Sequence, residues 1–262
     1  MPAHRATDIR IRDVSIKLHR VGEGTKVLFL HGANGLPLWL PFFDALADGY
    51  EVLVPEHPGF GASDDPAWIR NVGDLAMFYL DFVEELGPDR FHLIGHSLGG
   101  WLAAEIAVRD RSRLLSFTAM SAAGIRVKGL PAGDLFIWGP EETVRNVYYD
   151  QALAERVLAI QPTEEQTDVM LKNRFTATKF GWQPRWFNPD LEKWLHRIKV
   201  PSMVVWGRED KIFPWQYSDL WMERLPDARR LVMVEKCGHS PHTEKADEVI
   251  PSVRAFLKDA AR

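Results

Sequence analysis

The chain holds a single cysteine, Cys237, among its 262 residues. No intramolecular disulfide can form, which suits a reducing compartment. No apolar run approaches the roughly 20 residues that cross a bilayer. The opening residues Met1-Pro2-Ala3-His4-Arg5-Ala6-Thr7-Asp8 lack the apolar centre of a signal peptide. A cytoplasmic protein with no membrane partner is therefore expected. No basic block is present, and 32 Lys and Arg against 36 Asp and Glu leave a net charge of −4. Nucleic acid and other polyanions are thus excluded as expected partners. Neither a Gly-x-Gly-x-x-Gly nor a P-loop pattern occurs. His239-x-x-His242 is a lone pair without the further ligands a metal needs. No cofactor and no metal are expected.

What is present is an ordinary globular composition, 46% apolar and 26% charged, long enough to bury a sizeable core. Ile9 to His19 alternates apolar and polar residues and reads as a half-exposed antiparallel strand. Gly22-Glu23-Gly24 is a turn. Val27-Leu28-Phe29-Leu30 is wholly apolar, as in a strand covered on both faces. A helix around Pro41 to Asp48, a strand over Glu51 to Val54 and a helix over Val72 to Leu86 follow. Then come strands over Phe91 to Ile94 and Leu114 to Met120, separated by the helical run Gly100 to Ala107. The alternation resumes late, with strands Ser202–Trp206 and Arg230–Val234 and helices Pro214–Leu225 and Ala246–Leu257. Such strand–helix alternation predicts an α/β fold with a mostly parallel, doubly wound sheet.

Between Ser121 and Val200 the alternation stops. The segment is too long for a structureless loop. It carries helical stretches over Glu141–Ile160 and Thr163–Lys179, and many aromatic residues from Phe136 to Trp194. It is read as a helical lid over 125–195, inserted into a sheet domain formed by 1–124 and 196–262. Most of its rings are expected to form the lid's own core, with a few lining a substrate pocket against the sheet.

Gly95-His96-Ser97-Leu98-Gly99 lies where a strand turns sharply into a helix. Glycines at i−2 and i+2 permit a turn that pushes the Ser97 hydroxyl clear of the backbone. The helix that follows offers free N–H groups and a positive dipole end to a developing anion. A serine nucleophile needs a base, an orienting acid and an oxyanion hole. Among nine histidines, His239 in Lys236-Cys237-Gly238-His239-Ser240-Pro241 is the candidate base, because it follows the last strand on a glycine turn. His242 is its near rival. Asp210, just after strand Ser202–Trp206, is the candidate acid, with Glu209 the alternative and Glu56 and Asp64 weaker ones. Oxyanion donors are expected from the backbone N–H groups of Leu98 and of Ala33 in His31-Gly32-Ala33-Asn34-Gly35, with Asn34 second to Ala33. Cys237 has no elbow of its own and is not expected to be the nucleophile.

On these residues the chain resembles the α/β-hydrolase superfamily over nearly its whole length. The elbow, the His31-Gly32 loop, the Asp210 loop and the His239 loop fall in that family's order, and Ser97, Asp210, His239 is its triad order. Within it the chain is similar to capped members: carboxylesterases, C–C bond hydrolases of meta-cleavage pathways and cofactor-free haloperoxidase-like enzymes. The family's usual acidic start before Gly-x-Gly-x-Ser is altered here to Pro55-Glu56-His57-Pro58-Gly59-Phe60-Gly61-Ala62-Ser63. Ser97 stands where haloalkane dehalogenases and epoxide hydrolases of this fold have aspartate, so their alkyl-enzyme ester is excluded. The resemblance implies hydrolysis through an acyl-enzyme and says little of the substrate; the aromatic lid and the absence of a charged patch point to a small to medium, largely apolar carboxylic ester, with a small-molecule substrate as partner and a homodimer allowed. Two alternatives stand: C–C bond hydrolysis of a dienoate or β-diketone, with Arg126, Arg174 or Arg185 available for the substrate carboxylate, and a ligand receptor with residual hydrolysis.

Overall fold

The computed structural model describes residues 3–262. Its eight strands form one sheet in the order β1-β2-β4-β3-β5-β6-β7-β8. β1 (Arg5–Ile11) and β2 (Val14–Val21) are an antiparallel pair. The expected single strand over Ile9–His19 is therefore corrected to two. Its alternation slips phase between Ile11 and Val14, and the chain reverses there through Arg12 at φ 55°. β2 also runs antiparallel to β4, and every later pairing is parallel.

After β3 (Thr25–Leu30) come α1 (Pro41–Leu46), β4 (Tyr50–Pro55) and α2 (Val72–Glu85). β5 (Phe91–His96), α3 (Leu98–Arg109) and β6 (Leu114–Met120) complete the first half. β3 shows why both faces are covered. Val27 and Phe29 pack with Phe42 and Phe43 of α1 on one side. Leu28 and Leu30 pack on the other with Leu75 of α2 and Leu102 of α3, because successive strand side chains point to opposite faces.

The segment from β6 to β7 is helical: α4 (Pro140–Val147), α5 (Gln151–Leu158), α6 (Glu164–Gly181) and α7 (Leu191–Trp194). The helix expected over Glu141–Ile160 is split at Tyr148–Asp150, where Asp150 caps α5 through Ala152 N–H at 2.9 Å. α6 opens with a capping box between Thr163 and Gln166. The rings of this segment divide: Phe136, Trp138 and Tyr148 pack half-buried against the core, and four others are exposed. Phe180 and Trp186 are buried, whereas Phe175 is 70% exposed and Tyr149, Trp182 and Trp194 are exposed as well.

β7 (Ser202–Gly207), α8 (Gln216–Arg224), β8 (Ala228–Val234), the short α9 (Pro241–Glu244) and α10 (Ala246–Ala260) close the chain. No helix among the described residues is long and apolar enough to cross a membrane.

Candidate active site

Ser97 sits between β5 and α3 with φ 54° and ψ −118°, a left-handed backbone that a residue with a Cβ holds only under constraint. The constraint is visible. Ser97 N–H donates to Met120 O at 3.0 Å, and Ser97 O accepts from Gly100 and Ala123 N–H at 2.9 and 3.0 Å. A Cβ on Gly95 would lie 2.2 Å from Gly99 O, and one on Gly99 would lie 2.0 Å from Leu30 O. Both glycines are therefore demanded by close backbone approach, and together they force the hydroxyl outward.

The carboxyl ends of β7 and β8 bring the other two candidates to it. His239 Nε2 is 2.9 Å from Ser97 Oγ, and His239 Nδ1 is 2.9 Å from Asp210 Oδ2. A carboxylate only accepts, so Nδ1 carries the proton and Nε2 is left to accept from the serine hydroxyl. The other oxygen, Asp210 Oδ1, accepts from Ile212 and Phe213 N–H at 2.8 and 2.9 Å, which fixes the carboxylate plane. All three side chains are buried.

The rivals are engaged elsewhere. Glu209 accepts from Cys237 N–H at 2.9 Å. Glu56 accepts from Ala62 N–H at 2.6 Å and faces His19, and Asp64 accepts from Ser15 N–H at 2.8 Å. His242 is packed among Phe29, Phe42 and His96, where burial pushes it down to about 3. His96 donates Nε2–H to His239 O at 2.9 Å, tying the elbow to the His239 loop, and burial holds it well below the usual histidine range. Burial likewise pushes the Cys237 thiol up, away from the thiolate a nucleophile needs.

Ala33 lies in the turn that follows β3, closed by Gly35 N–H donating to Gly32 O at 3.1 Å. That turn abuts the elbow: a Cβ on Gly32 would be 3.2 Å from Ser97 Cβ. Leu98 is the first residue of α3, where helical N–H groups have no partner within the helix. Neither the Ala33 nor the Leu98 N–H donates to a protein acceptor among the described residues.

Sequence reading missed the framework under this turn. His31 donates Nδ1–H to Gly32 O at 2.8 Å and accepts His57 N–H at 3.1 Å. His57 donates Nε2–H to His31 O at 3.1 Å and accepts from the Tyr79 hydroxyl at 2.6 Å. The two imidazoles stack with centroids 3.7 Å apart. Burial pushes His31 down to about 4 and holds His57 well below the usual range, so two neutral rings brace the turn. Only the spacing of His57 behind a strand hinted at it; Tyr79 reads simply as a core residue of α2.

A cavity of about 200 Å³ is lined by Phe213, whose ring centroid is 5.6 Å from that of His239, but by none of Ser97, Asp210 and His239 themselves. Arg126, Asp134 and Arg185 also line it. The Arg185 guanidinium stacks on Trp182 at 4.1 Å and Phe136 at 4.8 Å, and its buried Nη1 has no hydrogen-bond partner, Asp134 being 3.6 Å away. Arg174 is exposed and does not line this cavity. The described residues contain no group of three His, Cys, Asp or Glu placed to hold a metal ion.

A sequence model described as the alpha/beta hydrolase family matches residues 27–252. The 2-hydroxy-6-oxo-6-phenylhexa-2,4-dienoate hydrolase of Comamonas testosteroni is 30% identical, with 95% of this chain and 93% of that protein covered. The 2-hydroxy-6-oxo-2,4-heptadienoate hydrolase of Pseudomonas putida is 26% identical over 93% of each. Among solved structures, a membrane phospholipase A superposes with a TM-score of 0.82 at 25% identity, covering 98% of this chain and 86% of that one.

Proposed function

The chain belongs to the alpha/beta hydrolase family, and from that premise we propose that it is a serine hydrolase cleaving a small to medium, largely apolar carboxylic ester. The observation that carries this reading is the continuous chain from Ser97 Oγ through His239 to Asp210, 2.9 Å at each step. Ser97 Oγ attacks the carbonyl carbon and its proton passes to His239 Nε2. Asp210 stabilises the imidazolium and holds its tautomer. The Ala33 and Leu98 N–H groups take the oxyanion. His239 returns the proton to the leaving alkoxide. Water then attacks the acyl-enzyme, giving its proton to His239, and Ser97 is restored. Every proton is carried by the chain's own residues. Segment 125–195 acts as a lid over this site, and its Trp186, with Phe213 from the loop after β7, offers apolar walls to the substrate.

A second reading, C–C bond hydrolysis of a dienoate, is favoured by a specific observation. Arg126 and Arg185 line the cavity that Phe213 shares with the surroundings of His239, and a carboxylate-bearing substrate calls for such cations. Two of the relatives are named as dienoate hydrolases.

The test is labelling with a fluorophosphonate, mass mapping of the adduct, and turnover of p-nitrophenyl acetate beside a dienoate. An adduct on Ser97 with ester turnover, both lost in Ser97→Ala, is the expected result. Turnover surviving in Ser97→Ala would overturn the scheme. Dienoate cleavage that outpaces ester cleavage, and that Arg185→Ala weakens through KM, would move the assignment to C–C hydrolysis. A single stoichiometric turnover would instead indicate a ligand receptor.

A further inference from the structure

α6 lies in the segment between β6 and β7, yet its polar side chains reach down to the backbone beneath. Lys172 donates to Gly61 O and Ser63 O at 2.9 and 2.6 Å, and Thr176 donates to Gly59 O at 2.7 Å. Asn173 does something different. Its Nδ2 donates to Asn34 O at 3.0 Å while its Oδ1 accepts from Gly61 N–H at 2.8 Å. It is 5% exposed, so this amide is committed to two core loops at once.

Asn34 is the central residue, with Ala33, of the turn 32–35. From below, that turn is held by Gly35 N–H on Gly32 O and by the His31–His57 pair. From above, the only side-chain bond to it among the described residues comes from Asn173. Gly35 has φ 77°, and a Cβ there would sit 2.5 Å from Asn173 Nδ2. The turn is thus shaped to admit this amide. The planar peptide that carries Asn34 O also carries the Gly35 N–H, which donates to Gly32 O at 3.1 Å. Gly32 O lies in the same peptide plane as the Ala33 N–H, so a rotation of the Asn34 carbonyl is passed to the Ala33 N–H through that bond.

We propose that Asn173 is a positioning residue for the oxyanion site: by pinning the Asn34 carbonyl to Gly61, α6 sets the direction of the Ala33 N–H. The inference rests on the reading of Ser97 and Ala33 in the preceding section. It makes the segment above the sheet part of the transition-state machinery, and it limits any opening motion to parts of that segment other than the middle of α6.

An oxyanion donor acts on the transition state and little on the bound substrate, and an error near 1 Å in such a group costs about 10- to 100-fold. Asn173→Asp retains the acceptor for Gly61 N–H and replaces the donor facing Asn34 O with an oxygen; Asn173→Ser removes both bonds with less charge disturbance. Each is assayed for p-nitrophenyl acetate turnover and for inhibition by a trifluoromethyl ketone, whose adduct with a serine bears the oxyanion. The expected result is a fall of about 10- to 100-fold in kcat, a matching weakening of the ketone, and KM within about twofold. Lys172→Ala is the comparison: it loosens the same clamp at Gly61 and Ser63 without touching the turn, and kcat is expected within about threefold of the parent. A kcat and ketone affinity unchanged in both folded Asn173 variants would overturn the proposal, as would an equal loss in Lys172→Ala. A parent protein that does not bind the ketone and keeps turnover in Ser97→Ala would instead overturn the serine reading itself, and the inference with it.

Discussion

The sheet and the segment that joins β6 to β7 secure themselves by different physics. In the sheet and the helices that cover it, aromatic residues are sealed: Phe29, Phe43, Tyr79, Trp206 and Trp221 are all at most 1% exposed. In the connecting segment, Phe175, Trp182, Tyr149 and Trp194 stand between 45% and 70% exposed. That segment is fastened to the core substantially through hydrogen bonds aimed at loop backbone. Asn173 and Thr176 hold the loops after β3 and β4. His239 N–H donates to Val147 O at 2.7 Å, and Glu244 accepts from Tyr149 and Gly238 N–H. Apolar packing is non-directional, whereas a hydrogen bond fixes a partner's orientation. Part of the connecting segment, with Val147, Phe180 and Trp186, joins the same apolar core, but it adds directed bonds that aim the loops carrying Ala33 and His239.

The largest expected effect lies where these two contributions meet. In Asp210→Asn the two backbone bonds to Oδ1 can persist, but the group facing His239 is free to present N–H and favour the wrong tautomer. By analogy with triads elsewhere, kcat is expected to fall by about 10⁴ with KM little changed. Steady-state kinetics on p-nitrophenyl acetate checks this; a loss under tenfold would detach Asp210 from the mechanism. Next comes the sheet's own packing. Phe43→Ala removes a fully buried ring that meets Phe29 edge-on at 4.9 Å, and about 3–5 kcal/mol of stability should go with it, read from the urea midpoint.

Acid should act on the sheet side too. The connecting segment from 125 to 195 contains no histidine, whereas His31, His57, His92, His96 and His242 are buried and all held below their ordinary value by desolvation. Their unfolded forms take up protons as pH falls through about 6.5. In the fold, His31 and His92 do not until about 4, nor His242 until about 3. The unfolded state thus binds more protons across that window, and stability rises with pH and is lost as pH drops below about 6.5. Each histidine contributes about 1.4 kcal/mol per pH unit to the slope. His92 is remote from the triad and bonds Ser116 Oγ at 2.8 Å. His92→Gln is expected to reduce the slope of stability against pH between 6 and 4.5 by about one proton. An unchanged slope would place the acid sensitivity elsewhere.

The two regions were also unequally legible. Buried parallel strands announce themselves as apolar runs, and Val27–Leu30 falls within β3. The elbow could be read because its glycines are required by local backbone approach, a constraint carried within a few residues. The break between α4 and α5 could not. No Gly or Pro lies between Glu141 and Ile160, and the chain bends there because Val147 O and the N–H groups of Tyr149 and Asp150 are taken by the His239 loop and Glu244. Asn173 was invisible for a related reason. A single polar residue on a helix looks solvated until the loop it bonds, more than 100 residues earlier in the chain, is brought beneath it.

The smallest expected effect tests the comparison from its weak side. If the connecting segment is held by directed bonds, its exposed rings contribute little to stability. Phe175 lies two residues from Asn173 on α6 and is 70% exposed. Phe175→Ala also substitutes a better helix former at a position where packing does not decide. Loss of helix-surface contact and gain in propensity are each a few tenths of a kcal/mol and opposite in sign, so stability should stay within about 0.5 kcal/mol of the parent. A urea titration decides it. Equal stability, with unchanged turnover of p-nitrophenyl acetate, leaves α6 anchored through its inward face alone, where Asn173 and Thr176 bond the loops and Ala177 and Phe180 are buried. A loss of 2 kcal/mol or more would mean that the ring is covered in solution, and the contrast between a packed sheet and a hydrogen-bonded segment would have to be redrawn.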